Sequence, residues 1–214
     1  VFEATRYAPH EVALTFDAGV DDRAVPLLLQ TLQARHVHAT FFLTGRFCER
    51  YPRSVRAIAD AGMEIGNHSY SHPHFTKLSR SAILEQLSRS EAAITRACGR
   101  GAKPLFRFPF GDCDRRTIRI VAEAGYQPIG WTIDSLDSVG KPKSPQFVAD
   151  RINRRIRSGE ITLCHVSMIR SAKALPAIFA HLDRQGDHVV PVSTLLVAAR
   201  SAQAPVKLAA QQGE

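Results

Sequence analysis

Val12-Ala13-Leu14-Thr15-Phe16-Asp17-Ala18-Gly19 is an apolar, β-favouring run that closes on one carboxylate and one glycine. It reads as a buried strand whose C-terminal end opens into a tight loop, with Gly19 free to take positive φ. Asp17 then stands at the strand mouth. In α/β folds reacting groups sit there, because the packed sheet holds them while the loops leave room for a substrate. Asp-x-Gly is also ordinary turn chemistry, so the flanking segments have to choose between the two readings.

They choose by repetition. Val25, Leu28, Leu29 and Leu32 follow helical spacing through Gln33, with Asp21 and Asp22 placed to cap that helix. His38 to Gly45 is a second β-rich run, Pro52 to Ala61 a helix stopped by Gly62, and Met63 to His68 a third strand. The longest helical pattern runs from Ser79 to about Ala97. Further strands are expected at 103–108, 127–133, 161–165 and 188–192. Helices separate them at 114–124, from Pro145 to about 157, at 172–184 and from Ser193 to about 200. Seven or so alternations with short joints predict a parallel α/β fold, a single barrel-like domain over residues 1–200. No Gly-x-Gly-x-x-Gly follows a strand, which removes the main support for a nucleotide-binding sheet. Residues 201–214 show no apolar face and are expected to be a frayed or disordered tail.

With 214 residues, 44% apolar and 22% charged, the chain can bury a real core. No run approaches the ~18 consecutive apolar residues of a membrane span. The net charge of +8 favours polyanions, among them acidic cell-wall polymers. The arginines recur on several helices without an interleaved aromatic stripe, which argues against nucleic acid as a partner. Cys48, Cys98, Cys113 and Cys164 lack Cys-x-x-Cys spacing, and a Cys98–Cys113 pair is conceivable only for an exported protein. The chain begins at Val1 rather than Met and is expected to be processed or trimmed.

If the strands run parallel, Asp17, His68, Arg107, Asp134 or Asp137, and His165 all collect at their C-terminal ends. One such residue has an easy structural explanation; five together do not. His68 and His72 are four apart, a spacing that puts two imidazoles on one face of a helical turn within reach of one metal, zinc by ligand type. Arg107 cannot act as a base, but its fork can hold a carboxylate in place and keep it ionised. His165 ends an otherwise apolar strand, and an aspartate beside it would fix its tautomer and raise its pKa.

In order, Thr15–Gly19, His68–His72, Arg107–Gly111, Asp134-Ser135-Leu136-Asp137 and Leu163-Cys164-His165 resemble the five motifs of the polysaccharide deacetylases, carbohydrate esterase family 4. The resemblance covers residues from about 11 to 197. It implies a distorted (β/α) barrel and metal-dependent removal of N-acetyl groups from aminosugar polymers such as peptidoglycan or chitin, in the cell envelope or outside the cell. A xylan-type O-acetyl esterase and a catalytically silent glycan-binding relative are the alternatives. By position, Asp17 would be the general base, Arg107 its holder, and His68 and His72 the metal ligands. His165 would be the general acid, oriented by Asp137. The Phe110 backbone N–H would bind the oxyanion, and Leu163 would line the acetyl pocket. Two departures stand out: Ala18 replaces the aspartate that commonly supplies a third metal ligand, and Ser138 replaces a tryptophan. Asp17 itself, a water, Asp21 or Asp22 would have to complete the metal shell.

Overall fold

The computed structural model describes residues 1–203. In chain order the main elements are β1 (Glu11–Ala18), α1 (Val25–Ala34), β2 (Thr40–Leu43), α2 (Gly45–Arg50), α3 (Pro52–Asp60), β3 (Glu64–Asn67) and α4 (Arg80–Cys98). There follow β4 (Leu105–Phe106), α5 (Arg115–Glu123), β5 (Gln127–Pro128), β6 (Ile133–Asp134) and α6 (Pro145–Asn153). The chain continues through β7 (Ile161–His165), α7 (Ile169–Gln185), β8 (His188–Val189) and α8 (Val192–Gln203). The strands form one parallel sheet in the order β5-β4-β3-β2-β1-β7-β6, and β8 pairs with the start of β1.

Strand alternation sorts β1 into two faces. Val12, Leu14, Phe16 and Ala18 are buried in the cluster that also holds Leu28 and Leu32 of α1 and Leu175, Ile178 and Leu182 of α7. Each fully buried side chain of that size contributes about 1.5–3 kcal/mol, which fixes the central strand against the helix layer. Thr15 and Asp17 face the other way and reach Arg107 inside the sheet's curl. The apolar layer therefore positions the polar site: slipping β1 by one residue would turn Asp17 into the helix layer.

The expected strand at 127–133 is two strands on opposite edges of the sheet, and this is what curls the fold into a half-barrel. Pro128 has no N–H to continue a ladder, so the strand ends there. Laid flat, seven strands spaced ~4.8 Å apart would separate the edges by ~29 Å. The five residue steps from Pro128 to Ile133 reach at most ~18 Å. The sheet must curl, and its strand mouths converge on one hollow.

Other expectations shift locally. The second strand stops before Thr44, which caps the added short helix α2, its hydroxyl accepting from the Phe47 N–H at 3.2 Å. Asp21 and Asp22 do not cap α1, whose N-cap is Ala24 without a side-chain bond. α7 starts at Ile169, three residues earlier than expected, and α8 continues through residues 201–203. Residues 204–214, the rest of the expected tail, lie outside the described residues. Cys98 and Cys113 are not paired: all four cysteines are free thiols, and Cys98 Sγ turns back to the Ile94 carbonyl at 3.2 Å.

Candidate active site

Asp17 and His165 are register partners on adjacent parallel strands, which lie about 4.8 Å apart, so their side chains project from one face of the sheet side by side. Asp17 is buried, and its Oδ1 accepts from Arg107 Nη1 at 2.8 Å. Arg107 is completely buried. The same Nη1 donates to Thr15 Oγ1 at 2.7 Å, and Nη2 donates to the Gly130 carbonyl at 2.9 Å. Its guanidinium lies over the Phe42 ring at 4.1 Å and near Trp131 at 5.5 Å. Burial pushes the Asp17 pKa up, but Arg107, His68 and His165 together outweigh it and hold the carboxyl below its ordinary value. Asp17 is thus an ionised carboxylate kept in place by a cation that cannot give up its proton.

His68 follows β3 directly and stays in the ladder, its N–H donating to the Leu43 carbonyl. His68 Nδ1 donates to the Arg107 carbonyl at 2.9 Å, which leaves Nε2 as the lone-pair nitrogen. That Nε2 lies 3.4 Å from Asp17 Oδ2 and 3.1 Å from His72 Nε2. The two imidazoles do not come together on a helical turn, as their spacing suggested. The segment is a loop in which Ser69 (φ 66°) and His72 (φ 62°) take the left-handed conformation. Such residues cost ~1–3 kcal/mol each and persist only where surroundings impose them. Here Asn67 imposes them: its Oδ1 accepts from Ser69 N, while Nδ2 donates to the Leu87 carbonyl and Tyr126 Oη. Burial lowers the pKa of both imidazoles, that of His72 to about 4 with His68 adding to the effect.

Two neutral imidazoles whose Nε2 atoms meet at 3.1 Å, one oriented by a carbonyl behind it, match what a borderline divalent cation prefers. The donor set is nonetheless short. Among the described residues no group of three His, Cys, Asp or Glu side chains forms a metal cluster. Asp21 is taken by Arg23 at 2.7 Å and Asp22 by the Ser54 hydroxyl at 2.6 Å, so the geometry recruits neither. Ala18 lies fully buried in the apolar cluster behind β1.

Asp137, not Asp134, is the partner of His165. Asp137 Oδ1 accepts from His165 Nδ1 at 2.7 Å, and Oδ2 accepts from the His165 backbone N–H at 2.8 Å and the Ser171 hydroxyl at 2.5 Å. Burial lowers the His165 pKa, but Asp137 above all, with Asp17 and Asp134 behind it, carries it above the ordinary value. Asp134 instead turns its Oδ1 to the Leu136 N–H at 2.7 Å and gives its carbonyl to Arg151. Phe110 sits at φ 59° and is exposed, its ring centroid 4.4 Å from those of both His72 and His74. Leu163 is buried beside Thr15 in register, on the same face of β7 as His165. Thr15, Asn67 and Ser171 escaped the sequence reading; each is a small polar residue whose importance lies in a partner distant along the chain. A larger open cavity of 920 Å³ lies outside α4, and none of the strand-mouth residues lines it.

The polysaccharide deacetylase family model matches residues 5–129, the span that carries Asp17, the two imidazoles and Arg107. The chain belongs to the polysaccharide deacetylase family. It is 31% identical over 193 residues to a peptidoglycan-N-acetylglucosamine deacetylase of Bacillus cereus, covering 88% of this chain and 69% of that one. A peptidoglycan-N-acetylmuramic acid deacetylase of Bacillus subtilis is 28% identical over 176 residues, 82% of this chain and 67% of the other. Among solved structures, a CE4-family pseudoenzyme of Bacillus anthracis superposes with a TM-score of 0.85 at 30% identity, over 92% of this chain and 68% of its own. A mutant of that protein with restored enzymatic activity superposes equally, at 0.85.

Proposed function

We propose that this chain hydrolyses the N-acetyl groups of aminosugar polymers of the peptidoglycan or chitin type, at the cell envelope or outside the cell. The observation that carries the reading is the pairing of Asp17 and His165 across β1 and β7, one held ionised by Arg107 and the other held protonated by Asp137. Two neighbouring groups whose pKa values are shifted in opposite directions, the carboxyl down and the imidazole up, are what a base and an acid require.

Asp17 takes a proton from the attacking water as its oxygen bonds to the amide carbon. The Phe110 N–H donates to the oxygen that becomes negative, and Leu163 packs against the acetyl methyl. His165 then gives its proton to the amine nitrogen as the C–N bond breaks, releasing acetate and a free amino sugar. A divalent cation held by His68 and His72, zinc by ligand type, would polarise the carbonyl and acidify water there. The net charge of +8 suits work on an acidic wall polymer, and among the described residues no helix is long and apolar enough to cross a membrane.

Acetate release from peptidoglycan and from chitooligosaccharides, with and without zinc, is the test. Wild type should release acetate, and Asp17→Asn and His165→Ala should lower the rate at least ~100-fold each. No release from either polymer under any divalent metal would refute the reading. One observation favours a second reading, a silent glycan binder: Ala18 leaves the metal two imidazoles and no carboxylate dedicated to it. That reading predicts glycan binding without acetate.

A further inference from the structure

Beside His165 the chain continues as Val166-Ser167-Met168-Ile169-Arg170 and packs against the loop after β1. Between them lies a cleft of 450 Å³ lined by Val20, Asp21, Arg23, Met168, Ile169 and Arg170. Its size is in the range of small-ligand pockets, ~300–1,000 Å³. Val20 and Ile169 are exposed there, 71% and 40%, although both are apolar. The two cations differ. Arg23 is spent, its Nε and Nη2 donating to Asp21 at 2.9 and 2.7 Å. Arg170 makes no ion pair among the described residues, and its hydrogen bond there is a long one, Nη1 to the Asp137 carbonyl at 3.3 Å. A guanidinium carries five N–H donors in a fixed fork, so most of its capacity remains for a ligand. The Asp137 carboxylate does not compete for it, being occupied by His165 and Ser171.

We propose that this cleft is a subsite for a carboxylate carried by the sugar under attack or its neighbour, with Arg170 as the residue that reads it. A planar carboxylate fits the guanidinium fork in a bidentate pair. Val20 and Ile169 would cover the alkyl part that bears it. Of the two acetylated aminosugars of peptidoglycan the match is N-acetylmuramic acid, whose lactyl ether, on the ring carbon next to the one bearing the acetamido group, carries a carboxylate. N-Acetylglucosamine has none. Arg170 is therefore a specificity residue: it selects acidic over neutral glycan and takes no part in the proton transfers. This inference rests on the aminosugar reading above for the sugar, but not for the charge.

The test measures binding by calorimetry in the presence of a chelator, so that no metal can hold the carboxylate. The probes are the N-acetylglucosaminyl-N-acetylmuramic acid disaccharide and its lactyl methyl ester. Wild type should bind the free acid about tenfold or more tightly than the ester. Arg170→Gln should abolish that preference with little change for the ester, and Arg170→Lys should restore part of it. Asp21→Asn, which removes the carboxylate from the cleft wall, should tighten the acid alone. Equal affinities for acid and ester in wild type would overturn the inference. So would an equal loss of both ligands in Arg170→Gln, which would mean that the residue acts only through Asp137. Failure of acetate release would refute the deacetylase reading while leaving this difference measurable.

Discussion

Arg107 is the cation on which the buried carboxylate depends, and its removal has a worked consequence. Arg107→Met keeps most of the aliphatic volume between Phe42 and Trp131, so the cost is electrostatic more than steric. Thr15 stays satisfied, since its hydroxyl also donates to the Thr162 carbonyl. Asp17 does not: its remaining neighbour is His68 Nε2 at 3.4 Å. Stranding one member of a buried pair costs ~3–5 kcal/mol, a large part of a domain's ~5–15 kcal/mol. Asp17→Asn should cost less, ~1–3 kcal/mol, because Arg107 keeps Thr15 and Gly130 as acceptors. The double variant should show a coupling of about 2 kcal/mol. The pH dependence carries the sharper sign. In wild type the lowered Asp17 pKa contributes stability that is present above the unfolded value of ~3.9 and is lost as pH falls through the folded value. In Arg107→Met burial acts without its main counterweight and the folded pKa rises. The deficit relative to wild type should then be largest at neutral pH and shrink on acidification. Urea unfolding at several pH values, with chelator present, measures it. A pH-independent deficit, or additive single variants, would refute this account of the pair.

Three further outcomes follow from the same geometry. Ala18→Asp should leave zinc affinity unchanged and lower stability, because residue 18 is buried in the apolar layer on the face of β1 opposite Asp17. Calorimetry showing a tightening of about tenfold or more would mean that residue 18 reaches the metal. Asp137→Asn should lower the His165 pKa, read from the imidazole Cε1 proton by NMR. Because the folded pKa is raised, the stability involved is present below ~6.5 and lost as pH rises through the folded value, so this variant should lose more stability at about pH 6 than at about pH 9. Asn67→Ala leaves the Ser69 N–H and the Leu87 carbonyl without their side-chain partner, and should cost at least ~1–3 kcal/mol in urea unfolding and weaken zinc binding.

The sequence by itself determined the strand mouths and what stands at them. Apolar runs ending at Asp17, His68, Arg107 and His165 are local patterns, and a parallel sheet has only one place to put their C-terminal ends. The helix stop at Gly62 was equally legible, because the left-handed conformation it takes (φ 74°) favours glycine. What only the tertiary structure decided are the relations between distant residues. Spacing placed His68 and His72 on a helix; a loop held by Asn67 brings them together instead, and no local signal encodes that anchor. Strand-end position alone did not choose between Asp134 and Asp137, which only the resemblance separated; the contacts that single out Asp137 come from His165 and Ser171, twenty-eight and thirty-four residues on. The run 127–133 looked like one strand because periodicity cannot register that its two halves join opposite edges of a curled sheet. Periodicity reports which face of an element is buried. Which side chain from another element meets it depends on how the sheet closes, and that closure is a property of the whole chain.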